Sequence, residues 1–302
     1  MEGVVGPVIV RLLASLDGRK VCDGWIAHCP AHDDRHPSLS VRVVGGRVLV
    51  KCHAGCAQAD VIAALRDRGL WPGHSVEHRH EAVHLVADNS GRHIAIARRL
   101  WEMAMPAGGT PVETYLRSRG IEIIPERVLR YHPRLQHPCG TVWPAMVGLV
   151  TRGDGVATAI HRTFIARDGS AKAPVDPNKM MLGPCHGGAV RLASLAHELM
   201  VGEGIETCLA AMQATGRPAW AALSASGLRA LDLPPQVRSV IVLADGDDAG
   251  EAAAWNAARR WTAEGRIVRI VRAPTGLDFA DLAPQRAAQI IGAANVAPGQ
   301  RS

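Results

Sequence analysis

The stretch Val240-Ile241-Val242-Leu243-Ala244 contains no polar side chain and runs straight into Asp245-Gly246-Asp247-Asp248-Ala249-Gly250. An apolar, β-branched run of this length reads as a buried strand, and Ala249 to Glu264 reads as the helix that follows it. Leu199-Met200-Val201 is a second such run. It ends in Gly202-Glu203-Gly204-Ile205-Glu206-Thr207 and leads into the helix-like Cys208 to Met212. Trp220 to Leu223, a Ser/Gly turn, the apolar stretch around Leu228 and Leu231, and Arg266 to Val271 continue the alternation. Strand, helix, strand, helix, strand is the signature of an α/β domain with a parallel sheet and crossover helices.

Open α/β sheets place ligands at the carboxyl ends of their strands. Glu203 and the pair Asp245/Asp247 would meet at that edge, where like charges repel unless a divalent cation neutralises them. Paired carboxylates are hard ligands suited to Mg²⁺ rather than to zinc. Plainer readings fit less well. Gly202-x-Gly204 lacks the third glycine of a dinucleotide fingerprint, since position 207 is Thr. Asp245-x-Asp247 departs from a calcium loop at Ala249 and Asn256. Asp248 reads as a helix cap.

Glu203-Gly204 after a strand, with Asp245-Gly-Asp247-x-Ala-Gly250 before a helix, resembles the Toprim domain of bacterial-type primases, topoisomerases and some nucleases. The resemblance implies that Glu203 is an acid/base or metal ligand and that Asp245 and Asp247 hold Mg²⁺ or Mn²⁺. Asp278 and Asp281, in Gly276-Leu-Asp278-Phe-Ala-Asp281-Leu, are similar to a further acidic, cofactor-binding element of primases. One departure stands out. Primases commonly carry an acid four positions after the glutamate, where this chain has Thr207, with Glu206 one place earlier.

Near the amino terminus, Cys29-Pro-Ala-His32 is answered by Cys52-His-Ala-Gly-Cys56. Between them Ser38 to Val43 alternates, Gly45-Gly46 signals a two-residue turn, and Arg47 to Lys51 returns, which predicts a β-hairpin. The hairpin would bring Cys29, His32, Cys52 and Cys56 onto one ion. Thiolates with one imidazole favour a closed, tetrahedral structural Zn²⁺ site. His53 and Cys22 are alternative ligands; Cys56 is preferred because Gly55 can shape the knuckle. The segment from Cys29-Pro-x-His32-Asp33-Asp34-x-x-Pro37-Ser38-Leu39 to Cys56 resembles the primase-type zinc ribbon. Its Cys-x₃-Cys spacing is similar to primase-like proteins of phages and mobile elements.

At 302 residues the chain has room for two or three units. Its net charge of +6 suits a polyanionic partner. With seven Trp, two Tyr and two Phe, electrostatic tracking of a nucleic-acid backbone is a better expectation than an extended stacking platform. Seven cysteines without a secretory leader suit a reducing cytoplasm. No segment approaches the ~18 apolar residues of a membrane span.

Residues 58–69 read as a helix with Val61, Ile62 and Leu65 on one face, and the His-rich stretch from His74 to His84 as a solvated linker. Thr110-Pro111-Val112-Glu113 is a capping box opening a helix that Gly120 ends. From Val142 to Leu192 the chain reads as strands with basic residues (His161, Arg162, Arg167, Lys172, Lys179, Arg191), a set suited to phosphate contacts. Asn178-Lys179-Met-Met-Leu182-Gly-Pro184 resembles a lysine segment of primase polymerase domains, which implies that Lys179 meets the incoming triphosphate or the template.

The expected organisation is a zinc ribbon (1–73), a linker with a helical segment (74–109), a basic α+β subdomain (110–194) and a Toprim domain (195–302). The resemblance implies a DNA primase of mobile-element type that makes short RNA from NTPs on single-stranded DNA. A Toprim nuclease and a non-catalytic nucleic-acid-binding protein are the alternatives. The sequence contains no Gly-x₄-Gly-Lys-Ser/Thr loop, so a helicase would be a separate partner.

Overall fold

A computed structural model describes residues 5–21, 24–34, 37–44, 47–71 and 79–293. The chain divides into two units, one of residues 1–84 with 137–141 and one of residues 85–136 with 142–302.

The first unit contains α1 (Val5–Ser15), β1 (Arg19–Val21), β2 (Gly24–Ala27), β3 (Leu39–Val44), β4 (Arg47–Cys52) and α2 (Gln58–Asp67). The four strands form one antiparallel sheet in chain order. Period-two alternation decides its inner face: Leu39 lies opposite Cys52 and Val41 opposite Val50, and all four are buried. Ile9, Leu12 and Leu16 of the α1 segment, and Val61 and Leu65 of α2, are buried too. The apolar α1 segment therefore belongs to the core of this unit. The Gly45-Gly46 turn and Cys22 lie outside the described residues.

α3 (Arg79–Met103) begins inside the His-rich stretch, so the backbone from residue 79 on is helical where a linker is expected; residues 72–78 lie outside the described residues. The second unit continues with β5 (Met105–Pro106), α4 (Pro111–Ser118), β6 (Leu129–Gln136), β7 (Val142–Thr151), β8 (Ala157–Phe164), β9 (Lys179–Leu182) and β10 (Ala189–Arg191). Then come β11 (Glu198–Gly202), α5 (Ile205–Thr215), β12 (Ala219–Ala221), α6 (Ala225–Ala230), β13 (Ser239–Ala244), α7 (Asp248–Ala263), β14 (Ile267–Arg272), a 3₁₀ turn (Phe279–Asp281) and α8 (Pro284–Gly292). No helix among the described residues is long and apolar enough to cross a membrane.

These strands form a single mixed sheet of ten, ordered β14-β13-β11-β12-β10-β7-β6-β5, with β8 and β9 branching from β7. β14, β13, β11 and β12 are parallel; β10 joins them antiparallel to β12 on one side and to β7 on the other. The basic strands and the acidic strands thus share one sheet. β6, which the sequence pattern does not announce, carries Pro133 within an irregularity between His132 and Leu135, where its missing N–H costs no ladder bond.

Both faces of the parallel block are covered. Leu199, Val201, Val240 and Val242 pack with Trp220, Leu228, Ala254, Ala257 and Trp261. Met200, Ile241 and Leu243 pack on the other side with Ile205, Leu209, Phe279 and Ile291. Val240 to Leu243 are fully buried, each contributing about 1.5–3 kcal/mol, enough to anchor a strand that ends in like charges. Thr110 caps α4 with Pro111 at its first turn, accepting from Val112 N. The expected capping box is displaced by one residue: Glu113 accepts from Gly109 N (2.6 Å) rather than from the cap itself.

Candidate functional site

In the first unit Cys29, His32, Cys52 and Cys56 each present a ligand atom within 4.8 Å of the other three. The β3–β4 ladder returns Cys52 to the level of Leu39, and Gly55, at φ 102°, shapes the turn to Cys56. His32 Nδ1 lies 3.2 Å from Cys56 Sγ and 4.0 Å from Cys52 Sγ. Its Nε2 faces Asp34 Oδ1 at 3.4 Å. The other oxygen of Asp34 accepts from Cys29 N (2.6 Å), Ser38 N (3.1 Å) and Ser38 Oγ (2.7 Å). Asp34 therefore orients the imidazole and fixes the loop that carries Cys29, as a supporting carboxylate does in a metal site. Burial, with Cys52 adding to it, pushes the Cys29 thiol up to about 12; a bound dication reverses that preference. The three thiols and one imidazole fit a structural Zn²⁺. Of the alternatives, His53 is exposed and stands outside the cluster.

The second constellation lies at the carboxyl edge of the parallel strands. β11 and β13 are neighbours, with Gly202 opposite Leu243, so Glu203 and Asp245 leave adjacent strands within one residue of the same level. Among the described residues, Glu203 Oε1 and Asp245 Oδ1 are buried and find no hydrogen-bond partner. Burial, then the charges of Asp245 and Asp247, push Glu203 up to about 7. Burial, then Asp278 and Asp247, push Asp245 up to about 6 against the opposing charge of Lys179. Among the described residues only the Cys/His set closes to within 4.8 Å. The acidic edge is more open, as suits a hard cation that shares its shell with water and substrate phosphates. The orphaned, mutually repelling oxygens fit such a cation.

Asp247 accepts from Gly250 N (2.7 Å) through Oδ1 and is the cap of α7. That corrects the expectation for Asp248, which is the first residue of the helix. Gly246 donates to Leu277 O and accepts from Gly276 N, both at 3.0 Å, tying the Asp245/Asp247 loop to the one preceding Asp278. A Cβ at Gly246 would lie 2.1 Å from Pro274 O. Asp278 and Asp281 form a capping box on the 3₁₀ turn and pair with Arg119 at 3.6 and 3.1 Å. Leu223, at φ 74°, donates to Glu203 O (2.8 Å). A leucine in the left-handed region costs on the order of 1–3 kcal/mol, and here it braces the loop of Glu203.

Lys179, at the start of β9, pairs through Nζ with Glu206 Oε2 at 3.1 Å. Tyr115 donates to Glu206 Oε1 at 2.8 Å. Burial would raise Glu206, but Lys179, backbone hydrogen bonding and Tyr115 hold its carboxyl down at about 2. Tyr115 and Arg119 escape sequence reasoning because no local spacing links them to residues ~90–160 positions away. Of the other basic residues, His161 is buried, while Arg162, Arg167 and Arg191 lie near the rings of Phe164, Trp143 and Trp220.

Residues 198–289 match the family model of the Toprim domain. This segment is a Toprim domain. Ahead of it, residues 91–192 match a domain of unknown function, DUF7146. No curated protein matches the chain. Among solved structures, the chain is similar to a DNA primase domain from Pseudomonas aeruginosa (18% identity, TM-score 0.47, covering 68% of this chain and 79% of that one). It is also similar to the zinc-binding and RNA polymerase domains of the Aquifex aeolicus primase (16%, 0.47, 98% and 86%). A third likeness is to the primase fragment of the bacteriophage T7 primase-helicase protein (15%, 0.41, 87% and 98%). The Toprim domain supplies Glu203, Asp245, Asp247, Asp278 and Asp281; Lys179 comes from the preceding segment.

Proposed function

We propose that the chain is a primase that joins ribonucleoside triphosphates into short RNA on a single-stranded DNA template. The observation that carries this reading is the pair of buried oxygens, Glu203 Oε1 and Asp245 Oδ1, that have no hydrogen-bond partner among the described residues, with the Lys179 ammonium close enough for its charge to act on Asp245. Asp245 and the Oδ2 of Asp247 would hold Mg²⁺ or Mn²⁺, with Asp278 and Asp281 completing the acidic edge. When bound, the ions make the 3′-hydroxyl more acidic and place positive charge beside the leaving pyrophosphate. Glu203, with its buried Oε1 facing no hydrogen-bond partner among the described residues, would take the hydroxyl proton as general base. Lys179 contacts the triphosphate. The first unit, with its zinc, binds the single-stranded template, and a separate helicase opens the duplex.

The test is labelled-NTP incorporation on single-stranded DNA by the parent, Glu203→Gln and Asp245→Asn. Amide substitution keeps shape and removes the charge, so incorporation should fall by about 10²–10³ or more. The template is followed in the same samples. Cutting without incorporation would make the chain a Toprim nuclease, and binding with neither activity a non-catalytic binder. Incorporation that survives both substitutions would move the active site elsewhere.

A further inference from the structure

We propose that Glu206 is a positioning residue, a buried counterion clamped by Tyr115 that holds the Lys179 ammonium against the triphosphate tail of the incoming nucleotide. This rests on the reading of the acidic edge given above.

Glu206 is 5% exposed, and each of its carboxylate oxygens is engaged, Oε1 by Tyr115 Oη and Oε2 by Lys179 Nζ. Moving it toward a ligand would stretch both bonds. The Lys179 side chain, by contrast, is 36% exposed. Its ammonium has three N–H donors, and Glu206 takes one. Two donors remain for a ligand on the exposed side, and the ammonium is near enough for its charge to oppose the repulsion acting on Asp245. The anchor draws on three separate elements: Tyr115 on α4, Glu206 in the first turn of α5, and Lys179 on β9, opposite Thr163 of β8. Lys172 adds a second positive charge that acts on Glu206.

A buried ion pair is a poor device for stability alone, because desolvation cancels most of the attraction. A lysine fixed on its protein side and open on the other is instead an oriented phosphate contact. It costs the substrate less ordering than a free surface lysine would. The contacts of Glu206 mark it as the partner of a cation from the same chain rather than as one more metal ligand.

The experiment uses the full, zinc-loaded chain without template and a fluorescent ATP with Mg²⁺ as probe. Lys179→Ala and Glu206→Gln should each weaken binding about tenfold. The double variant should be no weaker than either single, and Glu206→Asp should bind more tightly than Glu206→Gln. Tyr115→Phe, which keeps the ion pair, should give a smaller loss of the same kind and serves if Glu206→Gln folds poorly. Thermal midpoints separate structure from positioning: Lys179→Ala alone should lower the midpoint, and adding Glu206→Gln should restore part of it. Unchanged nucleotide affinity in Glu206→Gln, additive losses in the double variant, or loss of directly measured Mn²⁺ binding in Glu206→Gln would each overturn the proposal. A parent that binds nucleotide through this pair yet incorporates none would refute the primase reading and leave the positioning role standing. A parent that incorporates NTPs with an affinity indifferent to Glu206 would do the reverse.

Discussion

Asp245→Asn should stabilise the protein when Mg²⁺ and Mn²⁺ are withheld. The Asp245 carboxyl is raised from 3.8 to about 6 by burial and by Asp278 and Asp247. At ~1.4 kcal/mol per tenfold change in proton affinity, ionising it in the folded state costs ~3 kcal/mol relative to the unfolded chain. The site is partly open to water, and screening brings the net figure to ~1–2 kcal/mol. A group whose pKa rises on folding contributes stability that is fully present below its unfolded value and lost as pH rises through its folded value. The parent should therefore lose stability between about pH 4 and pH 7, and Glu203, raised to about 7, adds to the same slope. The amide carries no charge to repel, so its advantage should appear at pH ~8 and vanish near pH ~4. For a unit of this size the gain corresponds to about 2–8 °C in thermal midpoint. The assay is unfolding followed by near-ultraviolet circular dichroism, after dialysis into Mg²⁺-free buffer without a chelator strong enough to remove zinc. Adding Mg²⁺ should raise the parent and leave the variant where it was, because only the parent binds the ion in its folded state. An Asn variant less stable than the parent at pH ~8, or an advantage independent of pH, would refute the reasoning.

Purified protein should contain one zinc per chain, and Cys52→Ser or Cys56→Ser should lose it together with the fold of the first unit; full occupancy in both variants would remove the assignment. Asp34→Ala should keep the four ligands yet weaken zinc about 10–100-fold, read by competition with a chromogenic chelator, because the imidazole loses its orienting carboxylate. Gly246→Ala should lower incorporation about tenfold or more, since a Cβ 2.1 Å from Pro274 O must displace the loop bearing Asp245 and Asp247. Single-stranded DNA affinity should fall steeply with salt, and a flat salt profile would exclude backbone tracking by the basic residues.

Where residues act through near neighbours, the site was legible in the chain. The Val240–Ala244 run announces both its burial and the edge at which its acids emerge. The paired Cys/His spacings across a hairpin announce their convergence. What stayed hidden depends on long-range placement. Tyr115 and Glu206 meet across 91 positions. Asp278 and Asp281 look like ligands in one dimension, but in three they also cap a turn and bind Arg119. Helix α3 starts in a His-rich stretch whose composition suggests a linker, because composition reports the polarity of side chains and not the state of the backbone beneath them. β6 escapes the sequence pattern for a related reason: His132, Pro133 and Arg134 interrupt its alternation at the point where the ladder itself is irregular.

β10 is the narrow waist of the ten-stranded sheet. It meets β7 through two residue pairs and β12 through two, and Arg191 reinforces it by lying over Trp220 and donating to the carbonyls of Arg152 and Gly153. The lysine and the carboxylates stand on opposite sides of that waist. Any twist of the sheet there acts as a lever on the gap between them. Trp220, wholly buried on β12 beneath the Arg191 guanidinium, ties the two flanks of that waist together, so the spacing between lysine and carboxylates hangs on a single stacked contact and four residue pairs.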